Sequence, residues 1–232
     1  MRKYLWILLC FALLACWISG CGGGGGSNPL EPSPDDYILL ALYQDHVIRW
    51  TQPIGVFMDQ VHVPADWKPE HAAFFQQAMT TWTDAAQGKF SFVTLTSSSQ
   101  PCVVVRWVKD HPYGEAPPTI GITKLDLATI NNVQYIQNVR MELAVDDANG
   151  QPMPDSIMKL LSVHELGHAI GIWGHSDDPN DVMYQALGSQ PGLSFRDINT
   201  INRLYSLDPD IYELPHAVRS ITPEKVTTIT MP

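Results

Sequence analysis

The segment whose residue types and spacing carry the most chemistry is His164-Glu165-Leu166-Gly167-His168. On a helix, residues four apart point the same way about one turn apart, so both imidazoles reach a single ion. Zinc accepts neutral ring nitrogens at roughly 2.0–2.1 Å, and a hydrolytic site keeps one position open for water. Glu165, beside the first histidine, is placed to act on that water as a general base. Five residues of this kind also arise by chance. Taken alone, they leave two histidines on an ordinary helix as the competing reading.

The residues downstream narrow the choice. Gly171 follows His168 by three positions, where a helix can end on a left-handed residue. The chain can then turn back and bring His175 up as a third ligand. Met183 follows eight residues later, within Asp181-Val182-Met183-Tyr184. This arrangement resembles the metzincin clan of zinc peptidases and, within it, the matrixin family. Ser176 and Tyr184 fit the same pattern. The resemblance implies one catalytic zinc held by His164, His168 and His175, with Glu165 as the base. It also implies Gly171 as the turn and Met183 as a packing floor under the metal, not a ligand.

One departure stands out. The family pattern has two residues between the glycine and the third histidine, and this chain has Ile172, Trp173 and Gly174. Gly174 is expected to absorb the extra residue through a conformation closed to other residues. Failing that, His175 would miss the metal by ångströms, since one residue spans ~3.8 Å. Glu213 and Glu224 lie in an irregular tail and do not compete as ligands, and Asp177 and Asp178 read as solvated loop acids. His46, His62, His71 and His216 read as surface or satisfied residues. His111 falls where animal matrixins carry a loop for structural zinc and calcium. The His-x-Asp spacing is absent there, so those sites are not carried over and calcium stays open.

The elements that must position these groups can be read from periodicity. Between residues 69 and 87, Ala72, Phe75, Met79, Trp82 and Ala86 recur at helical spacing, as one face against a core. Residues 47–59 suggest a strand with a kink or an edge position at Pro53, and residues 90–95 and 102–108 two more. Two further strands, 121–127 and 135–145, flank a turn at Asn131-Asn132. A helix over 156–170, capped by Asp155 or Ser156, carries the histidines. A last helix over 193–207 presents Ile198, Ile201, Leu204 and Tyr205 on one face. This order predicts an α+β domain with a mixed sheet. The resemblance, which covers about residues 47–207, implies a metzincin-like domain with a mostly parallel twisted sheet. It adds a backing helix, an active-site helix and a C-terminal helix.

Composition sets the setting. A chain of 232 residues with 45% apolar content can bury one sizeable core without disulfides. The net charge is −10, and the first twenty-one residues hold Arg2 and Lys3 but no acid, so the rest is more acidic still. With no basic stripe, nucleic-acid binding is excluded. Arg2 and Lys3 followed by the apolar stretch 4–18 read as an export signal, too short to span a bilayer comfortably. Ile18-Ser19-Gly20-Cys21, followed by glycines, resembles the lipobox of bacterial lipoproteins, with Cys21 lipidated. Cys16 competes less well because it would leave Trp17 and Ile18 at the mature start; a plain secretory signal or an uncleaved anchor is the alternative. Gly22 lacks the aspartate associated with inner-membrane retention, which favours the outer membrane or the cell surface. Cys102 then remains as a buried strand residue, and no intramolecular disulfide is expected.

The expected organisation is a signal peptide at 1–21, a flexible linker at 22–36, the peptidase domain at 37–207 and a C-terminal tail at 208–232. The expected activity is that of a monomeric, membrane-anchored zinc endopeptidase acting on extended polypeptides. The resemblance suggests that such a substrate pairs with an exposed sheet edge formed by residues 121–127. Two other readings share the metal. One is a lipid-anchored zinc-containing binding protein without proteolytic activity, and the other a zinc amidase acting on peptidoglycan stem peptides.

Overall fold

The helical stripe that begins at Pro69 organises the domain. In the computed structural model, which describes residues 30–98, 101–109, 119–147, 149–188, 190 and 192–231, helix α2 spans Pro69–Ala85. Pro69 suits its first turn, where no intrahelical donor is needed. Ala72, Phe75 and Trp82 of the expected face are buried together with Ala78, whereas Met79 is only partly buried, and burying a large apolar side chain is worth roughly 1.5–3 kcal/mol. His71, expected to be a surface or satisfied residue, is buried there, and its ring accepts from the Lys68 backbone N–H at the helix start. Cys21, the export segment and His111 lie outside the described residues.

Six strands form one sheet in the order β2-β1-β3-β5-β4-β6. They are β1 (Ile54–Asp59), β2 (Phe92–Thr94), β3 (Val103–Val108), β4 (Gly121–Ile130), β5 (Val133–Ala144) and β6 (Lys225–Met231). The pairs β1–β2, β1–β3 and β3–β5 are parallel, whereas β4 runs antiparallel to both β5 and β6. The sheet is therefore mixed and mostly parallel, in an α+β domain. The β4–β5 hairpin turns at Asn131 and Asn132, both with positive φ (52° and 62°), the left-handed pair that matches strand twist. Cys102 is fully buried just before β3. Pro53 does not kink a strand; β1 begins directly after it, because proline cannot donate to a ladder.

Helix α3 (Asp155–Ala169) packs across β4 and β5 and against α2. Trp82 of α2 donates its indole N–H to the Val163 carbonyl at 2.8 Å, and Trp50 donates to Ala169 at 2.9 Å. Neither Asp155 nor Ser156 caps α3. Pro154 takes the cap position and Asp155 sits in the first turn, where its charge suits the helix dipole. Helix α4 (Phe195–Leu204) opens with a capping box between Ser194 and Asp197 and buries Ile201 and Leu204. A four-residue helix α1 (Ile38–Ala41) packs near α4.

Two expected boundaries change. Residues 30–36 are not a free linker: Arg203 binds the Asp36 carboxylate at 2.8 Å and the Glu31 carbonyl, and Asn199 donates to the Asp35 carbonyl. Polar side chains of α4 hold a stretch whose composition reads as a tether. The segment after 208 is not a surface tail either. Glu213 is buried and accepts from Thr51, and β6 adds a sixth strand with Ile229 buried. Among the described residues no helix is long and apolar enough to cross a membrane.

Candidate active site

Helix α3 delivers His164 and His168 one turn apart, both buried. It ends at Gly171, whose φ of +126° favours glycine and whose added Cβ would lie 2.6 Å from the Ile48 carbonyl. The chain reverses, Trp173 N–H donates to the Ala41 carbonyl at 2.8 Å, and His175 arrives beside the other two rings. One nitrogen from each of the three histidines lies within 4.8 Å of the others. The extra residue in the turn is thus accommodated, though not as expected. Gly174 keeps an ordinary φ, and its lack of a side chain lets the backbone pass against the Leu40 carbonyl, where a Cβ would collide.

Backbone carbonyls orient two of the rings. His164 Nδ1 donates to Val182 O at 2.7 Å and His168 Nδ1 to Ile172 O at 2.6 Å. Such a bond places the proton on Nδ1 and leaves the Nε2 lone pair for a ligand. His168 Nε2 is buried with no hydrogen-bond partner among the described residues. Burial pushes the His164 pKa down to about 4, and burial together with the neighbouring imidazoles pushes His168 well below its usual value. Both are neutral at physiological pH, the form that binds metal. Three converging imidazoles, one of them with an orphaned buried acceptor, fit a borderline cation such as zinc.

Glu165 lies between this cluster and the sheet. Thr123 of β4 donates its hydroxyl to Glu165 Oε2 at 2.7 Å, and Gly121 packs so close that a Cβ there would strike the carboxylate. Burial raises the Glu165 pKa to about 8, and the Thr123 bond opposes the rise. A divalent cation nearby would oppose it further by favouring the carboxylate. Glu165 and His164 open onto a cleft of about 570 Å³, walled by Gly121, Leu161 and the segment from Tyr184 to Leu187.

Met183 is fully buried, and its sulfur packs on Gly167 of α3. Its own turn is tied down by a residue that sequence reasoning had placed only on α4. Asp197, fully buried, accepts from the Val182 N–H at 2.9 Å, the Ser194 N–H at 2.8 Å and the Tyr37 hydroxyl at 2.5 Å. The Ser-x-x-Asp spacing of a capping box was the available signal for it. Thr123 gave none, since it reads as an ordinary strand residue. Asp177 and Asp178 pair with Arg196, and His46 and His62 lie apart from the cluster beside Asp210 and Asp59.

Comparison with known proteins agrees with this geometry. A family model described as matrixin matches residues 62–206. The human (Homo sapiens) protein matrilysin is 46% identical over 48 residues. That stretch covers 19% of this chain and 18% of matrilysin's length.

Proposed function

The chain belongs to the matrixin family of peptidases, and from that premise we propose that it is a zinc-dependent endopeptidase acting on extended polypeptides. The observation that carries the reading is the set of three histidine nitrogens within 4.8 Å of one another, with a buried carboxylate beside them at the wall of an open cleft. His164, His168 and His175 would hold the ion. Bound there, zinc supplies Lewis-acid chemistry, polarising a carbonyl and making water acidic near neutral pH.

The chain's own residues do the rest. Glu165 takes a proton from the attacking water and returns it to the departing amine. Thr123 orients the carboxylate through its hydroxyl. The carbonyls of Val182 and Ile172 keep two imidazoles in the tautomer that faces the ion. Met183 supports the site from below by packing on α3, and Gly171 lets the chain reverse toward His175.

The test is proteolysis of a denatured protein with and without a chelator, alongside Glu165→Ala. The wild-type chain should lose activity to the chelator and regain it with zinc. Glu165→Ala should bind one zinc and retain less than about one hundredth of the rate, the usual lower range for a positioned acid–base. A variant that cleaves at the normal rate would falsify the assignment. Zinc binding without cleavage of any substrate would favour the binding-protein reading, and cleavage of muropeptides alone the amidase.

We also propose export, with Cys21 as the lipid-bearing residue of a membrane anchor at the outer membrane or cell surface. The support is the charged end, the short apolar run and the small residues before Cys21.

A further inference from the structure

The sheet edge expected to receive substrate is largely taken by the chain itself. β6 pairs antiparallel with β4 from Lys225 opposite Thr129 to Met231 opposite Thr123. The pairing described for β6 reaches Thr123, and Gly121, at the start of β4, lies beyond it beside Glu165 and the cleft. Both partners of β4 run antiparallel to it. A substrate strand in the same sense would place its amino-terminal side toward Thr129 and its carboxyl side toward Gly121. The amino-terminal side therefore meets β6.

We propose that β6 is a fixed cap on the substrate edge. It confines main-chain pairing on the amino-terminal side of the scissile bond to the residues adjoining Glu165. Selectivity is left to the cleft walled by Leu161 and Tyr184 to Leu187. The inference rests on the endopeptidase reading and adds to it what the enzyme reads in its substrate. β6 holds its place through several contacts. Ile229 is buried, the Thr228 hydroxyl donates to Asp126 at 2.6 Å, and Glu224 donates its N–H to the Thr129 carbonyl while its carboxylate accepts from Asn131 N–H. A substrate strand offers β4 the same kind of ladder but gives up translational and rotational freedom that β6 has already lost. Exchange of one strand for the other gains nothing.

The experiment compares peptides that share one cleavable core and are lengthened on the amino or the carboxyl side. In the full chain, lengthening on the amino side past the first few residues should leave kcat/KM unchanged. The double variant Thr227→Pro/Thr228→Pro opens the strand. Adjacent strand residues alternate their N–H groups, so one of the two must lose a ladder bond. In this variant the short peptide should be cleaved as before. Amino-side lengthening should now raise kcat/KM about fivefold for each ladder hydrogen bond gained, while carboxyl-side lengthening acts equally on both forms. An equal amino-side gain in both forms overturns the cap.

Hydrogen exchange gives a reading independent of turnover. Amides of β4 and β6 should stay equally protected when a long peptide binds the Glu165→Ala chain, and release of β6 on binding overturns the proposal. If neither form cleaves a peptide of any length, the endopeptidase reading itself falls and takes the cap with it. That outcome is told apart by the absence of any rate to compare.

Discussion

Thr123 links the sheet to the chemistry through one hydroxyl. Its Oγ1 lies 2.7 Å from Glu165 Oε2 and 3.2 Å from the Glu165 carbonyl, so its single proton goes to the nearer, charged acceptor. Hydrogen bonds to charged groups contribute about 1.5–3 kcal/mol. Thr123→Val keeps the shape of this fully buried residue and removes the donor. The carboxylate is then held less firmly and its proton affinity rises. We expect kcat to fall about tenfold, the lower end of that energy range, with one zinc still bound. Steady-state kinetics beside metal analysis checks this, and an unchanged kcat, or a loss explained by missing metal, would refute it. His164 and His168 were legible because their spacing places them on one helical face with Glu165 beside the first, and His175 because it follows the Gly171 turn and precedes Met183. Thr123 was not, because its role depends on β4 lying under α3, a contact between elements that no local spacing records.

At the scale of elements, the turn between α3 and His175 depends on how closely it passes α1. A side chain at Gly174 would meet the Leu40 carbonyl, and a backbone atom cannot rotate away. Gly174→Ala therefore has to push residues 172–175 off α1, weakening the Trp173–Ala41 hydrogen bond that sets the approach of His175. Disturbing groups that orient metal ligands costs roughly 10- to 100-fold in affinity. We expect zinc affinity to fall by about tenfold or more, measured by competition with a chromogenic chelator; wild-type affinity would mean the turn is not held by this contact. The sequence correctly marked Gly174 as special but for the wrong reason, since positive φ and close backbone approach leave the same glycine in a sequence. The long elements were readable, α2 from its stripe and the β4–β5 hairpin from Asn131-Asn132. β6 was not, because Ile229 is its only buried side chain, too few for an alternation to emerge.

At the scale of the whole molecule, the folded body begins closer in sequence to Cys21, the proposed lipid site, than composition suggests. Pro, Ser and Asp near the start read as a linker to residue 36, yet Asp36 is buried and paired with Arg203. What holds it lies 167 positions away, beyond any local reading. If Cys21 carries the lipid, the residues between it and Leu30 span at most about 30 Å even when fully extended, at ~3.3–3.6 Å per residue. The cleft would then stay within that tether plus the width of the domain from the surface, and polypeptides held at that surface would be favoured over free ones. The chain without its first twenty-one residues is more acidic than the −10 of the whole, which disfavours close adsorption to anionic lipids and would leave a lipid on Cys21 as the main attachment. Cys21→Ala should move the protein from the membrane fraction to the soluble fraction and end incorporation of labelled fatty acid. Its rate on a soluble short peptide should not change. Retention in the membrane fraction after this substitution would place the attachment elsewhere in the chain.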